Sequence, residues 1–173
     1  KYDIYIEKTK KDFAKEFSFD KTGEYEIKFN LYSNLNMDYM FKDVFALKSF
    51  IIVPSKNLQI TSMISTFENC KNLNDLTLNG IKTSQVKSMK KLLYKTNPMI
   101  LNLNDFSTKS VEDMSYMFSE MNKLEYDIMK LDTSSAKNMS HMFYSNNGLY
   151  ILDLSNFDTR NVEDMSFMFE WCR

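Results

Sequence analysis

The chain is poor in the residues that most often build reactive sites. Its 173 residues include one histidine, His141, two cysteines, Cys70 and Cys172, three glycines and two prolines. One histidine and two distant cysteines do not supply the converging ligands that a transition-metal site needs. No glycine-rich phosphate loop, nucleophile elbow or His-Glu-x-x-His segment occurs, so the common frames of phosphoryl transfer, acyl transfer and metallohydrolysis are missing. With so little glycine and proline, nothing resembles a flexible linker. A dominant charge is lacking too: 22 Lys and Arg stand against 23 Asp and Glu, a net charge of -1. That gives no broad field to attract nucleic acid or an anionic membrane. No apolar run approaches the ~18 residues of a transmembrane helix, and the first residues lack the charged-then-apolar order of a signal peptide.

What the chain has is repetition. Met165-Ser166-Phe167-Met168-Phe169 recurs as Met114-Ser115-Tyr116-Met117-Phe118, Met139-Ser140-His141-Met142-Phe143 and Met37-Asp38-Tyr39-Met40-Phe41. Weaker copies are Met63-Ile64-Ser65-Thr66-Phe67 and Met89-Lys90-Lys91-Leu92-Leu93. The anchor methionines Met37, Met63, Met89, Met114, Met139 and Met165 fix a period of 25 or 26 residues. A period in the range of about 20 to 50 residues denotes a solenoid or array, whose length follows the number of turns.

Each period divides in two. Ten residues after the anchor stands Leu47, Leu73, Met99, Leu124 or Leu149, followed by pairs such as Phe50 with Ile52, Leu76 with Leu78 and Leu152 with Leu154. Apolar residues two apart predict a short strand with an inward apolar face. A polar bend follows, with Ile81, Phe106 or Phe157 as its large apolar group. The spacing then becomes i, i+3, i+6, i+7 at Val111, Met114, Met117 and Phe118, which reads as one stripe of a two-turn helix. Ser110 and Asn161 stand where an N-cap would, and Asp113 and Asp164 where an acid would favour the first turn.

Residues 1–36 precede the first full motif and read as an N-terminal α+β cap. Tyr2, Ile4 and Ile6 predict a strand, and Phe13, Ala14 and Phe17 a short amphipathic helix. Tyr25, Ile27, Phe29 and Leu31 predict a second strand, placed by the period as the first rung of the ladder. Residues 37–173 form the repeat array.

The run Leu152-Asp153-Leu154-Ser155-Asn156-Phe157-Asp158-Thr159, continued by Asn161-Val162-Glu163-Asp164-Met165-Ser166-Phe167-Met168-Phe169 and Cys172, resembles the repeat of bacterial surface proteins called BspA-like, a leucine-rich-repeat-like class. The likeness is closest over 105–172, weaker over 37–104, and absent before about residue 25. It implies an α/β solenoid, a right-handed array of short parallel strands on the concave side and short helices on the convex side. It further implies a secreted or surface-anchored protein that binds other proteins, with no catalytic motif to carry over.

The individual reactive residues fit that picture. His141 occupies the slot of Tyr39, Tyr116 and Phe167 and reads as an aromatic substitute. Cys70 and Cys172 lie in equivalent slots four turns apart, so at ~4.7–4.9 Å per rung they stand roughly 19 Å apart. That is too far for a disulfide, and both are expected as free, packed thiols. No catalytic residue, metal site or cofactor is expected. Asp153 and Asp158 could contribute to a calcium site, but the glycine-dense acidic loops of calcium-binding repeats are missing. What remains is surface. The outward strand positions vary between turns, and Ile51, Asp75, Thr77, Ile100, Asn102, Tyr126, Met129, Tyr150, Ile151 and Asp153 form the candidate protein-binding face. The expected function is that of a non-enzymatic, protein-binding solenoid at the cell surface or outside the cell. The alternative is a structural subunit or spacer of a large assembly, possible also inside the cell. Because Cys172 and Arg173 follow the last motif directly, the polypeptide or a partner is expected to continue past Arg173.

Overall fold

The alternation of apolar residues near the N-terminus is realised as strands. The structure, a computed structural model, describes residues 2–6, 8–11, 27–31, 34–52, 58–103, 106–121, 131–147 and 152–173. Strands β1 (Tyr2–Ile6), β2 (Thr9–Lys11) and β3 (Ile27–Leu31) form an antiparallel sheet in the order β2-β1-β3, with Ile4 opposite Phe29. The strand expected as the first rung of the ladder, β3, is thus paired with β1, and no described residue of the array pairs with it. The helix expected around Phe13 to Phe17 lies outside the described residues.

From residue 34 onward the chain runs in coils of one period each, and its pairings become parallel. Strand β4 (Leu35–Asn36) pairs with β6 (Ile60–Ser62), and β5 (Ser49–Ile51), β7 (Asp75–Thr77) and β8 (Ile100–Asn102) form a second parallel set in the order β5-β7-β8. Later coils continue the first line of pairing through the bridges Ser88 to Asp113, Asp113 to Asn138 and Asn138 to Asp164. The repeat and its parallel, solenoid-like strands are therefore as the sequence implied.

The helices are not. Among the described residues no segment is an α-helix. Each Met-x-x-Met-Phe motif is a run of consecutive tight turns. In the first, Met40, Lys42 and Val44 donate their N–H groups to the carbonyls of Met37, Tyr39 and Phe41, three residues back. The third residue of each motif has a left-handed backbone: Tyr39, Ser65, Lys91, Tyr116, His141 and Phe167 have φ of 52–59°. The residue four further on, Asp43, Asn69, Lys95, Glu120, Ser145 or Trp171, has φ of 55–62°. A left-handed residue at the third place of a four-residue turn is the type II arrangement.

This conformation wins because it turns alternate peptide groups along the stack. Tyr39, Phe41 and Asp43 donate to Ile64, Thr66 and Glu68 of the next coil at 2.8, 3.0 and 2.9 Å. Tyr116, Phe118 and Glu120 repeat this against Ser140, Met142 and Tyr144 at 3.1, 3.0 and 2.8 Å. A helix would direct those groups along its own axis and leave the motif segments of successive coils joined by side chains alone. Asp113 and Asp164, expected in a first helical turn, instead accept the N–H groups of Ser115 and Ser166, each at 2.9 Å. Asn36 and Asn138 do likewise for Asp38 and Ser140, the local Asx turn that Asp and Asn favour. With no helix to cap, Asn161 reaches across to the carbonyl of Ser134 at 2.7 Å.

The core is a set of columns built from equivalent slots. Met63, Met89, Met114 and Met139 are fully buried, as are Phe67, Phe118 and Phe143. Each contributes roughly 1.5–3 kcal/mol by leaving water. Phe118 stacks on Phe143 and Phe143 on Phe169, with centroids 5.9 and 5.6 Å apart and planes within 10° of parallel. One expected inward residue points out: Met99 is exposed, and buried Pro98 takes the interior place.

Polar columns lock the same register. Thr83, Thr108 and Thr133, all buried, donate to the carbonyls of Ser107, Asp132 and Asp158 in the following coil at 2.7, 2.9 and 3.1 Å. The slot seven residues after the anchor donates the other way. Cys70, Asn146 and Cys172 reach the carbonyls of Phe41, Phe118 and Phe143 at 2.9, 2.9 and 3.0 Å. Each paired side chain gives a backbone carbonyl of the neighbouring coil a hydrogen-bond partner from across the stack.

Candidate functional site

Three rungs of the candidate face are assembled in register. Phe50, Leu76 and Leu101 are cross-strand partners and point inward, so their neighbours point out. The outward residues fall in two rows, Ser49 with Asp75 and Ile100, and Ile51 with Thr77 and Asn102. At ~4.8 Å per rung the patch spans roughly 10 Å across the strands. Five of the ten expected residues are thereby brought together. Ile51 is 59% and Ile100 57% exposed, and these two apolar groups sit at opposite corners of the patch. Between them Thr77 donates its hydroxyl to the Asp75 carboxylate at 3.2 Å, which fixes both polar side chains at the centre.

Of the remaining five, only Asp153 is among the described residues. Tyr126, Met129, Tyr150 and Ile151 lie outside the described residues. Asp153 is exposed on a later coil, where its carboxylate accepts the Ser155 N–H at 2.8 Å. That bond and the Ser155 hydroxyl hold its pKa below the usual carboxylate range. Ser49 and Met99 belong with the patch and were not in the expected set. Ser49 was legible as an outward neighbour of Phe50. Met99 was not, because its place in the count assigned it to the interior.

The reactive groups are committed to the scaffold. His141 stacks on Tyr116 at 4.3 Å with planes 10° apart and meets Phe167 at 4.9 Å, so it extends an aromatic column. Cys70 and Cys172 are free thiols, and burial pushes the Cys70 pKa up to about 11. Asp158 is gripped by the Arg160 guanidinium at 2.6 Å, which lowers its pKa to about 2. Glu112 lies between Lys137 at 2.7 Å and Lys87 at 3.1 Å, and both ammonium groups lower its pKa. Lys87, Glu112, Lys137 and Glu163 occupy one slot of successive coils, so charge alternates down that column.

No helix among the described residues is long and apolar enough to cross a membrane. No curated protein and no solved structure matches the chain. A family model described as a Mycoplasma protein of unknown function, DUF285, matches residues 5–98 and again residues 61–173. The two matches overlap, as expected where one repeated unit is read in two registers, and together they span nearly the whole chain. The chain belongs to this DUF285 family.

Proposed function

We propose that the chain is a non-enzymatic, protein-binding solenoid of a cell-surface or secreted protein, of the BspA-like, leucine-rich-repeat-like kind, with residues 1–36 as its cap. The observation that carries this reading is the in-register patch in which Ile51 and Ile100 flank the Asp75 and Thr77 pair. Exposed aliphatic groups around a fixed polar centre are suited to recognising another protein, because the apolar part supplies affinity and the polar part selects the partner. The reactive side chains described above are all engaged in packing or ion pairs, which favours binding over turnover. The test is capture of surface proteins from the native cells by the immobilised chain, repeated with Ile51→Asp/Ile100→Asp. The reading requires a saturable partner that the variant loses while its circular dichroism spectrum is unchanged. A partner held equally by both would move recognition off this face, and saturable turnover of any substrate would overturn the non-enzymatic part. A second reading is a structural subunit or spacer of a large assembly.

A further inference from the structure

Asp75 differs from the acids that hold the array together. Asp113, Asp153 and Asp164 accept the N–H two residues on, at 2.9, 2.8 and 2.9 Å. Glu112, Glu120 and Asp158 pair with Lys or Arg side chains. Asp75 does neither. Its Oδ1 accepts the Thr77 hydroxyl at 3.2 Å, and among the described residues no cation pairs with it and no donor reaches Oδ2. It is also the only charge among the six outward residues of the strand patch, the others being Ser49, Ile51, Thr77, Ile100 and Asn102.

A partner that settles on Ile51 and Ile100 covers Asp75 between them. The carboxylate, half-buried in the free chain, would then lose its remaining water. An ionised carboxylate taken out of water with no added donor costs more than the apolar contacts around it return. The partner must therefore bring a donor to Oδ2, and a cation is the donor that also balances the charge. The aliphatic groups around such a pair exclude water and strengthen it. Met99, 76% exposed beside Ile100, widens the apolar rim on that side.

The spacing selects a form of chain. Outward residues of one strand stand ~6.6 Å apart and neighbouring rungs ~4.8 Å apart. The diagonal from Ile51 to Ile100 crosses two rungs and one such step, so it is roughly 12 Å long. Its midpoint falls on β7 between Asp75 and Thr77. In an extended chain, three successive side chains on one face span ~13 Å, with the second at the centre. Laid along the diagonal, such a segment sets its outer two side chains on the isoleucines and its middle one on Asp75.

On the reading that the strand face is the recognition surface, we propose that its partner presents an extended protein segment of the order apolar, any residue, Lys or Arg, any residue, apolar. The cation pairs with Asp75, and the apolar residues cover Ile51 and Ile100.

Selection of short random peptides from a displayed library on the immobilised 173-residue chain tests this, with Asp75→Asn and Ile51→Asp/Ile100→Asp immobilised in parallel. Asn keeps the size of the side chain and an acceptor for Thr77, so Asp75→Asn removes the charge alone. Peptides enriched on the wild type should carry a Lys or Arg with an apolar residue two places to either side, and both variants should lose them. A synthetic copy of such a peptide should bind at least about tenfold more weakly when Met replaces its cation, and Asp75→Asn should abolish that difference. An Asp75→Lys chain should instead hold the copy in which Glu replaces the cation. Peptides that need Ile51 and Ile100, yet show no excess of Lys or Arg and bind Asp75→Asn equally, would overturn the proposed partner and leave the strand face standing. Peptides held equally by all three chains would overturn both. A wild type that enriches no peptide would also overturn the proposed partner.

Discussion

The replacement of helices by turns makes a prediction whose sign separates the two conformations. Ser145 has φ of 56° and donates its N–H to Glu170 of the next coil at 2.8 Å. For an L-residue with a Cβ, the left-handed conformation costs roughly 1–2 kcal/mol. Glycine removes that cost but adds roughly 0.5–1 kcal/mol of unfolded-state entropy. Ser145→Gly should therefore stabilise the chain by about 0.5–1 kcal/mol. In a helix the same change would destabilise by about 0.5 kcal/mol. Ser145→Val is the converse, because a β-branched residue tolerates positive φ worst and should lose about 1–2 kcal/mol. Urea denaturation with an unchanged slope measures the difference, and thermal melts should move by about 2–4 °C per kcal/mol for a chain of this size. A Ser145→Gly variant less stable than wild type, with Ser145→Val unaffected, would refute the turn conformation and restore the helix.

Other consequences follow from the columns. Phe118→Ala should lose about 3–5 kcal/mol as a core truncation, whereas Phe169→Ala, exposed on the last coil, should lose less than about half of that; equal shifts in the urea midpoint would break the stacking register. Glu112 has a folded pKa below its unfolded one, so its ion pairs stabilise above the unfolded pKa and are lost as pH falls through the folded value. The denaturation midpoint should accordingly drop on acidification, less so in high salt, and Glu112→Gln should flatten that part of the profile. A thiol-reactive dye should label Cys172, which is partly exposed, before Cys70, which is buried with its pKa raised to about 11. Equal labelling rates in the native chain would show that the slot is not closed.

Much of the architecture was legible because it rests on side-chain period. The six anchor methionines fixed the coil length, and with it the burial of Met114, Phe118 and Leu76 and the free state of both cysteines. The rows Ser49, Asp75, Ile100 and Ile51, Thr77, Asn102 could also be aligned from the repeat, since register follows the inward residues between them. Met99 was misassigned because a fixed count from the anchor does not see that Pro98 fills the interior place. The buried threonines Thr83, Thr108 and Thr133 recur at the same distance from the anchor, and that recurrence is the signal that would have identified them as a hydrogen-bonded column.

By itself, then, the sequence determined the period, the inward face of the described strands β5, β7 and β8 and the absence of the common catalytic frames. Only the tertiary structure decided the conformation of the motif itself. A spacing of three and then one places Met and Phe on one side of a helix, and it does the same for consecutive tight turns, so side-chain pattern does not distinguish them. The choice lies with the peptide groups. Stacked coils offer each alternate N–H a carbonyl in the next coil, and only the left-handed residues at Tyr39, Ser65, Lys91, Tyr116, His141 and Phe167 point them there. No glycine marks those positions, because the stabilisation that offsets their strain is supplied by the neighbouring coil.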